Sequence, residues 1–263
     1  MHSRPLYLKV IACEIIQREL CLLTANCPNI IDLEFLAVGN HDFPQKGNKT
    51  LQEAIDSVPA DSYDAILIGY GVCNCIINGI TATHTRLVIP RAHDCLTFLL
   101  GSMQRYENVF FQNPGAFYFS TGWVEFALRR ELREKGVRDI ENSHLDELIQ
   151  PNISPRRSID ELSAKYGPET AQYLVEISRK LTENYKTGIY IVIDGINSPE
   201  LEKQARSICD KRGWKFIELN GDLTLLKKWL WGEWPEDEFL IVKPGQKVYA
   251  SFKNTLIETN QKE

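Results

Sequence analysis

The sequence predicts an α/β protein: a three-layer sandwich around a mainly parallel sheet, made of two Rossmann-like portions. Two observations carry this. Short apolar runs such as Asp64 to Gly69 and Leu87 to Pro90 show no alternation, as in strands covered on both faces. Segments with helical spacing follow such runs closely, and strands alternating with helices imply right-handed crossovers between parallel neighbours.

Taken in order, Leu6 to Cys13 forms a first strand, and Glu14 to Thr24 places Ile15, Ile16, Leu20, Leu22 and Leu23 at helical spacing. Ile30 to Val38 alternates around Leu33, Phe35 and Ala37 as a strand. The polar loop Gly39 to Lys49 leads to a helix over Leu51 to Val58. The strands Asp64 to Gly69 and Leu87 to Pro90 follow, then a helical pattern from Cys95 to Tyr106. Ala116 to Thr121 is a further strand and Trp123 to Lys135 a helix. Asn142 to Pro155 is polar with two prolines, and Ile159 to Tyr185 is helical and heavily charged, so this stretch reads as a connector.

A second α/β stretch begins at Gly188 with the strand Ile189 to Ile193. Ser198-Pro199-Glu200 starts a helix, with proline in its first turn. The strand Lys215 to Leu219 and a helix capped by Asp222 and running through Trp231 complete the pattern. The expected organisation is a Rossmann-like portion over 1–122 with the site, a helical connector over 123–187 and a second portion over 188–263.

Composition narrows the function. The net charge of -5 and pI near 5.7 give no attraction to phosphate backbones or anionic lipid, so nucleic acid is not an expected partner. No apolar run reaches the ~18 residues that span a bilayer, and the opening run is too short and β-branched for a signal peptide. The expectation is a cytoplasmic protein with a small-molecule substrate. A GxGxxG fingerprint after the first strand and a GxxxxGK[ST] phosphate loop are both missing, which argues against nicotinamide and nucleotide cofactors.

Seven cysteines, at 13, 21, 27, 73, 75, 95 and 209, are many for a reducing compartment, where clustered thiols serve metals or chemistry more often than disulfides. In open parallel sheets ligands sit beyond the carboxyl ends of the strands. Cys13 ends the first strand, His41 follows the second, Cys73 and Cys75 follow the third, and His93-Asp94-Cys95 follows the fourth. Four successive loops thus offer a soft ligand at one edge. Thiolate and imidazole donors suit zinc best and iron less exclusively. The metal-ligand candidates are therefore Cys13, His41, Cys73, His93 and Cys95.

His93 and Asp94 are the catalytic candidates, Asp94 orienting a histidine. Gly69, Tyr70, Gly71 and Arg91 are expected to bind the cofactor or ligand, the glycines by letting the backbone come close. Each has a plainer alternative. A lone Cys13 is a small hydrophobe in a core, His41 beside Asp42 can be solvated, and the C-x-C pair is weaker than C-x-x-C. Tyr118 and Trp123 are pocket or core residues, and Trp229, Trp231 and Trp234 are helix packing or a partner surface. Cys21, Cys27 and Cys209 are core or surface residues.

At GYGVCN (69–74), IPRAHDC (89–95), LLGSMQRY (99–106) and PGAFYFSTGW (114–123) the chain resembles the DUF1638 family. It departs at Glu14, where a glycine is expected after the first strand's cysteine, and at Cys73-Asn74, where Cys-Gly is expected. The resemblance implies an association with corrinoid-dependent methyltransferase systems, and hence a corrinoid protein or methyltransferase as partner. His93-x-Cys95 is also similar to half of the zinc motif of cobalamin-dependent thiol methyltransferases, although only Cys209 follows it here. Two readings result. One is a metal-dependent methyltransferase with a zinc-activated nucleophile. The other is a non-catalytic metal- or corrinoid-binding accessory protein.

Overall fold

The computed structural model describes residues 4–37, 44–136, 163–164, 167–173, 176, 184–196, 198–251 and 255–259. The strands are β1 (Tyr7–Cys13), β2 (Ile30–Leu36), β3 (Ala65–Gly69), β4 (Leu87–Pro90), β5 (Ala116–Ser120), β6 (Thr187–Val192), β7 (Lys215–Asn220), β8 (Phe239–Val242), β9 (Val248–Ala250) and β10 (Ile257–Thr259). Among them lie the helices α1 (Gln17–Thr24), α2 (Pro44–Ser57), α3 (Cys95–Leu100), α4 (Met103–Gln112), α5 (Thr121–Lys135), α6 (Pro199–Arg212) and α7 (Thr224–Trp231). The protein is a mixed α/β structure with a mainly parallel sheet. No helix among the described residues is long and apolar enough to cross a membrane.

The chain forms two compact units, one of residues 1–109 with 221–263 and one of residues 110–220. The first unit holds a five-stranded sheet in the order β2-β1-β3-β4-β8, parallel throughout except for antiparallel β8. All five residues of β3 are buried, as its unbroken apolar run requires. Its contact with β1 is close. A Cβ on Gly69 would stand 2.5 Å from the Cβ of Ala12, its register partner, so glycine there serves sheet packing. Trp229 of α7 is fully buried, and its indole N–H donates to the Val88 carbonyl at 3.1 Å. This is the packing role expected by default for that residue.

The second unit holds the parallel sheet β5-β6-β7. Its core joins Phe119, Val124, Tyr190, Leu201, Ala205 and Ile208. A Cβ on Gly188 would lie 2.3 Å from Cys209 Sγ, so this cysteine packs against the one residue without a side chain.

The units differ from the sequence-based division. Strand β5, expected in the portion ending at 122, pairs with β6. The segment after Asn220, expected in the portion 188–263, returns to the first unit, where β8 pairs with β4. Much of the expected connector 123–187 lies outside the described residues, apart from α5 and short pieces.

Candidate functional site

Because β1, β3 and β4 run parallel, their carboxyl ends and following loops lie at one edge of the first sheet. Cys13 is the last residue of β1 and is buried. After β3 the chain passes Tyr70 to Val72 into a single 3-10 turn, Cys73–Cys75. After β4 it passes Arg91 to Asp94 into α3, whose first residue is Cys95.

The two loops are clipped together through their backbones. The amide of Val72 donates to the Ala92 carbonyl at 3.0 Å and that of Cys73 to the His93 carbonyl at 2.9 Å. Gly71 makes the approach possible, since a Cβ there would stand 2.7 Å from the His93 carbonyl oxygen and 2.8 Å from the Asp94 backbone. The two glycines expected to admit a ligand are thus explained by packing, Gly69 against β1 and Gly71 against the neighbouring loop.

Asp94 does two things at once. One carboxylate oxygen accepts from the Leu96 amide at 2.9 Å and caps α3, in a capping box completed by Thr97. The other oxygen lies 3.1 Å from His93 Nδ1 and accepts from the Tyr106 hydroxyl, also at 3.1 Å. The Tyr106 oxygen is itself 2.8 Å from His93 Nδ1, and the two rings stack with centroids 5.3 Å apart. Thr97, fully buried, accepts from the His93 amide at 3.2 Å.

One proton assignment satisfies this triangle: Nδ1–H of His93 donates to both oxygens, and the phenol donates to Asp94. In neutral imidazole Nε2 then carries the lone pair, and it has no hydrogen-bond partner among the described residues. The His93 side chain is 51% exposed, so this nitrogen belongs to a group that solutes can reach. The hydrogen bond to Asp94 raises the His93 pKa above its ordinary value, with partial burial opposing.

The thiols nearby are held neutral. Burial pushes Cys73 up to about 12, with the Asp94 carboxylate and Cys13 adding to the effect. Burial pushes Cys13 up to about 12 as well. Tyr106 is raised by burial and by Asp94, within electrostatic reach of Cys95 and Cys73. Cys73 is thus within electrostatic reach of Cys13, Asp94, Tyr70 and Tyr106.

Tyr70 is only 3% exposed, and its buried hydroxyl has no hydrogen-bond partner among the described residues. Such a group costs about 1–3 kcal/mol relative to a satisfied one. Burial, followed by Cys13 and Cys73, raises its pKa, so the phenol keeps its proton.

Other expected residues stand elsewhere. Arg91 is held by backbone carbonyls. Its Nε donates to the Glu236 carbonyl at 2.8 Å, and Nη1 donates to those of Thr255 and Ile257 at 2.7 and 2.6 Å. This arginine pins the segment of β10, because a guanidinium can serve several carbonyls at once. Cys75 is exposed, with a φ of 56° that is unusual for a non-glycine residue. Cys21 is exposed, and Cys27 donates to the Leu230 carbonyl at 3.4 Å. Tyr118, Trp123 and Cys209 belong to the second unit.

His41 lies outside the described residues. Among the described residues no three histidine, cysteine, aspartate or glutamate side chains come together as a metal-holding group. The described residues therefore do not by themselves supply the three or four converging donors that a zinc ion takes. Sequence reasoning missed Tyr106 and Thr97. Thr97 follows Asp94 at capping-box spacing, a usable signal, whereas nothing in spacing marks Tyr106 as a partner of His93.

No curated protein and no solved structure matches the chain. The family described as a protein of unknown function (DUF1638) matches residues 35–230, a span that includes β3, β4, α3, α4 and the loops carrying Tyr70, Cys73, His93 and Asp94. The chain therefore belongs to the DUF1638 family.

Proposed function

We propose that the edge formed by Cys13, Tyr70, Cys73, His93, Asp94 and Tyr106 binds a small molecule and moves a proton at it, with Nε2 of His93 as the acid–base group. The observation that carries this is the double hold on Nδ1. Asp94 and Tyr106 fix the ring's tautomer and orientation, and Asp94 stabilises the imidazolium that forms when Nε2 takes a proton. In this reading each sheet is the middle of a three-layer sandwich, and both units are Rossmann-like.

The test is proton transfer itself. The protein is incubated in D2O with small carbon acids such as ketones, aldehydes and nitroalkanes, and deuterium incorporation is read by mass spectrometry. Catalysed exchange is expected, at least about 100-fold slower in His93→Gln, the lower range of general-base contributions. Exchange at the buffer rate only, or an unimpaired His93→Gln variant, refutes the proposal.

A second reading keeps the metal. Zinc would be held by His93 and Cys73 with a further donor that the described residues do not supply, in a protein that acts in or supports corrinoid-linked methyl transfer. The Asp94 contact on Nδ1 favours it, because metal-bound histidines keep such an outer partner. Cobalt(II) titration decides it. Thiolate-to-cobalt absorption that disappears in Cys73→Ser supports the metal, and an unchanged spectrum removes it.

A further inference from the structure

The hydroxyl of Tyr70 is buried and finds no hydrogen-bond partner among the described residues. Phenylalanine would fill the same space without an unmet group, so the oxygen calls for a partner that the described residues do not supply. At the same sheet edge stand the thiols of Cys13, which ends β1, and Cys73, which opens the turn after β3, and a thiol is a poor acceptor. Asp94 belongs to the loop packed on Gly71, the residue after Tyr70, and Glu14 follows Cys13 at the end of β1. A donor flanked by acidic groups selects a ligand that brings an acceptor without bringing further negative charge.

Building on the proton-transfer reading, we infer that Tyr70 is the hydrogen-bond donor to an uncharged oxygen of the bound small molecule, a carbonyl or hydroxyl. Tyr70 thereby sets the specificity of the site, while His93 handles the proton.

Two proteins test this: the wild type and Tyr70→Phe. Ligand-free Tyr70→Phe is expected to melt at or above the wild-type temperature, because the lost hydroxyl had nothing to bond. A melting point several degrees lower means that the hydroxyl has a partner within the protein, and overturns the inference. Binding of small neutral ketones, amides and alcohols is then followed by ligand-observed NMR. Wild type is expected to bind members of this set, Tyr70→Phe about tenfold more weakly, the effect of one hydrogen bond. Acetate is expected to bind at least tenfold more weakly than acetamide, which is of similar size. Absence of binding to the wild type, equal binding by Tyr70→Phe, or preference for acetate each overturns the inference. The two proposals have separate readouts, so wild-type binding that depends on Tyr70 without any deuterium exchange refutes the proton-transfer reading and leaves the binding result standing.

Discussion

The amide of Cys73 donates to the carbonyl of His93, joining the turn after β3 to the loop after β4. The position of the imidazole thus depends on a residue with no side chain, Gly71, two places before the donor. Gly71→Ala should push a methyl group into the His93 carbonyl and the Asp94 backbone, both under 3 Å away. The expected cost is about 1–3 kcal/mol in chemical denaturation, the usual scale of overpacking. The His93 ring signals should shift with it in NMR spectra, and unchanged stability and signals would contradict the clipped-loop description.

Asp94 can be tested without breaking the helix it caps, because asparagine caps as well as aspartate. In the folded protein the pKa of His93 is raised, chiefly by its hydrogen bond to Asp94. Its protonated form therefore favours folding. That contribution is fully present below the unfolded histidine pKa, about 6.5, and is lost as pH rises through the folded value. Asp94→Asn should lower the NMR midpoint of His93 and remove the stability difference between pH 5 and pH 8 that this pair produces. The effect should be small, as half the imidazole faces solvent. An unmoved midpoint would assign the shift to another group.

Arg91→Met should release the segment of β10 from the first unit. Three backbone carbonyls lose a charged donor, with an expected loss of about 2–4 kcal/mol. Hydrogen exchange should accelerate at 255–259 well before the central strands. Lysine at this position should recover only part of the loss, since an ammonium lacks the planar fork.

In the second unit, Gly188→Ala places a Cβ against Cys209 Sγ and the Phe119 ring. Destabilisation of about 1–3 kcal/mol is expected. Adding Cys209→Ala removes the sulfur and should recover at least about 1 kcal/mol relative to the sum of the single changes. Simple additivity of the two in urea melts would show that they do not touch.

The strands were legible where burial writes an unbroken apolar run. Ala65–Gly69 and Leu87–Pro90 occur as expected, and Cys13, Cys73, His93 and Cys95 were traced to one sheet edge because parallel order alone places them there. Partner choice between distant strands was not legible. Phe239–Val242 is too short to carry a period, and nothing in FLIV says that it runs antiparallel beside β4. Ala116–Ser120 equally carries no sign that its partner begins at Thr187. At the site, Asp94 was singled out beside His93 as a residue to orient a histidine, and its carboxylate lies 3.1 Å from His93 Nδ1. The carbonyls that Arg91 serves were not legible, because a charged side chain beside a buried strand looks the same in sequence whether it faces a ligand or a set of carbonyls. Tyr106 escaped because its meeting with His93 depends on how α4 turns after Gly101, whose φ of 80° ends α3.

The antiparallel pairing of β8 with β4 also has a consequence for synthesis. The free side of β4 is made early but gains its neighbour only when Phe239–Val242 has left the ribosome, after the whole of 110–220. All three strands of the β5-β6-β7 sheet are available before that moment. The nascent chain therefore carries an open, apolar β4 margin while residues 91–238 are made, and this margin is where a premature partner, including another copy's Phe239–Val242, would compete for the same hydrogen bonds.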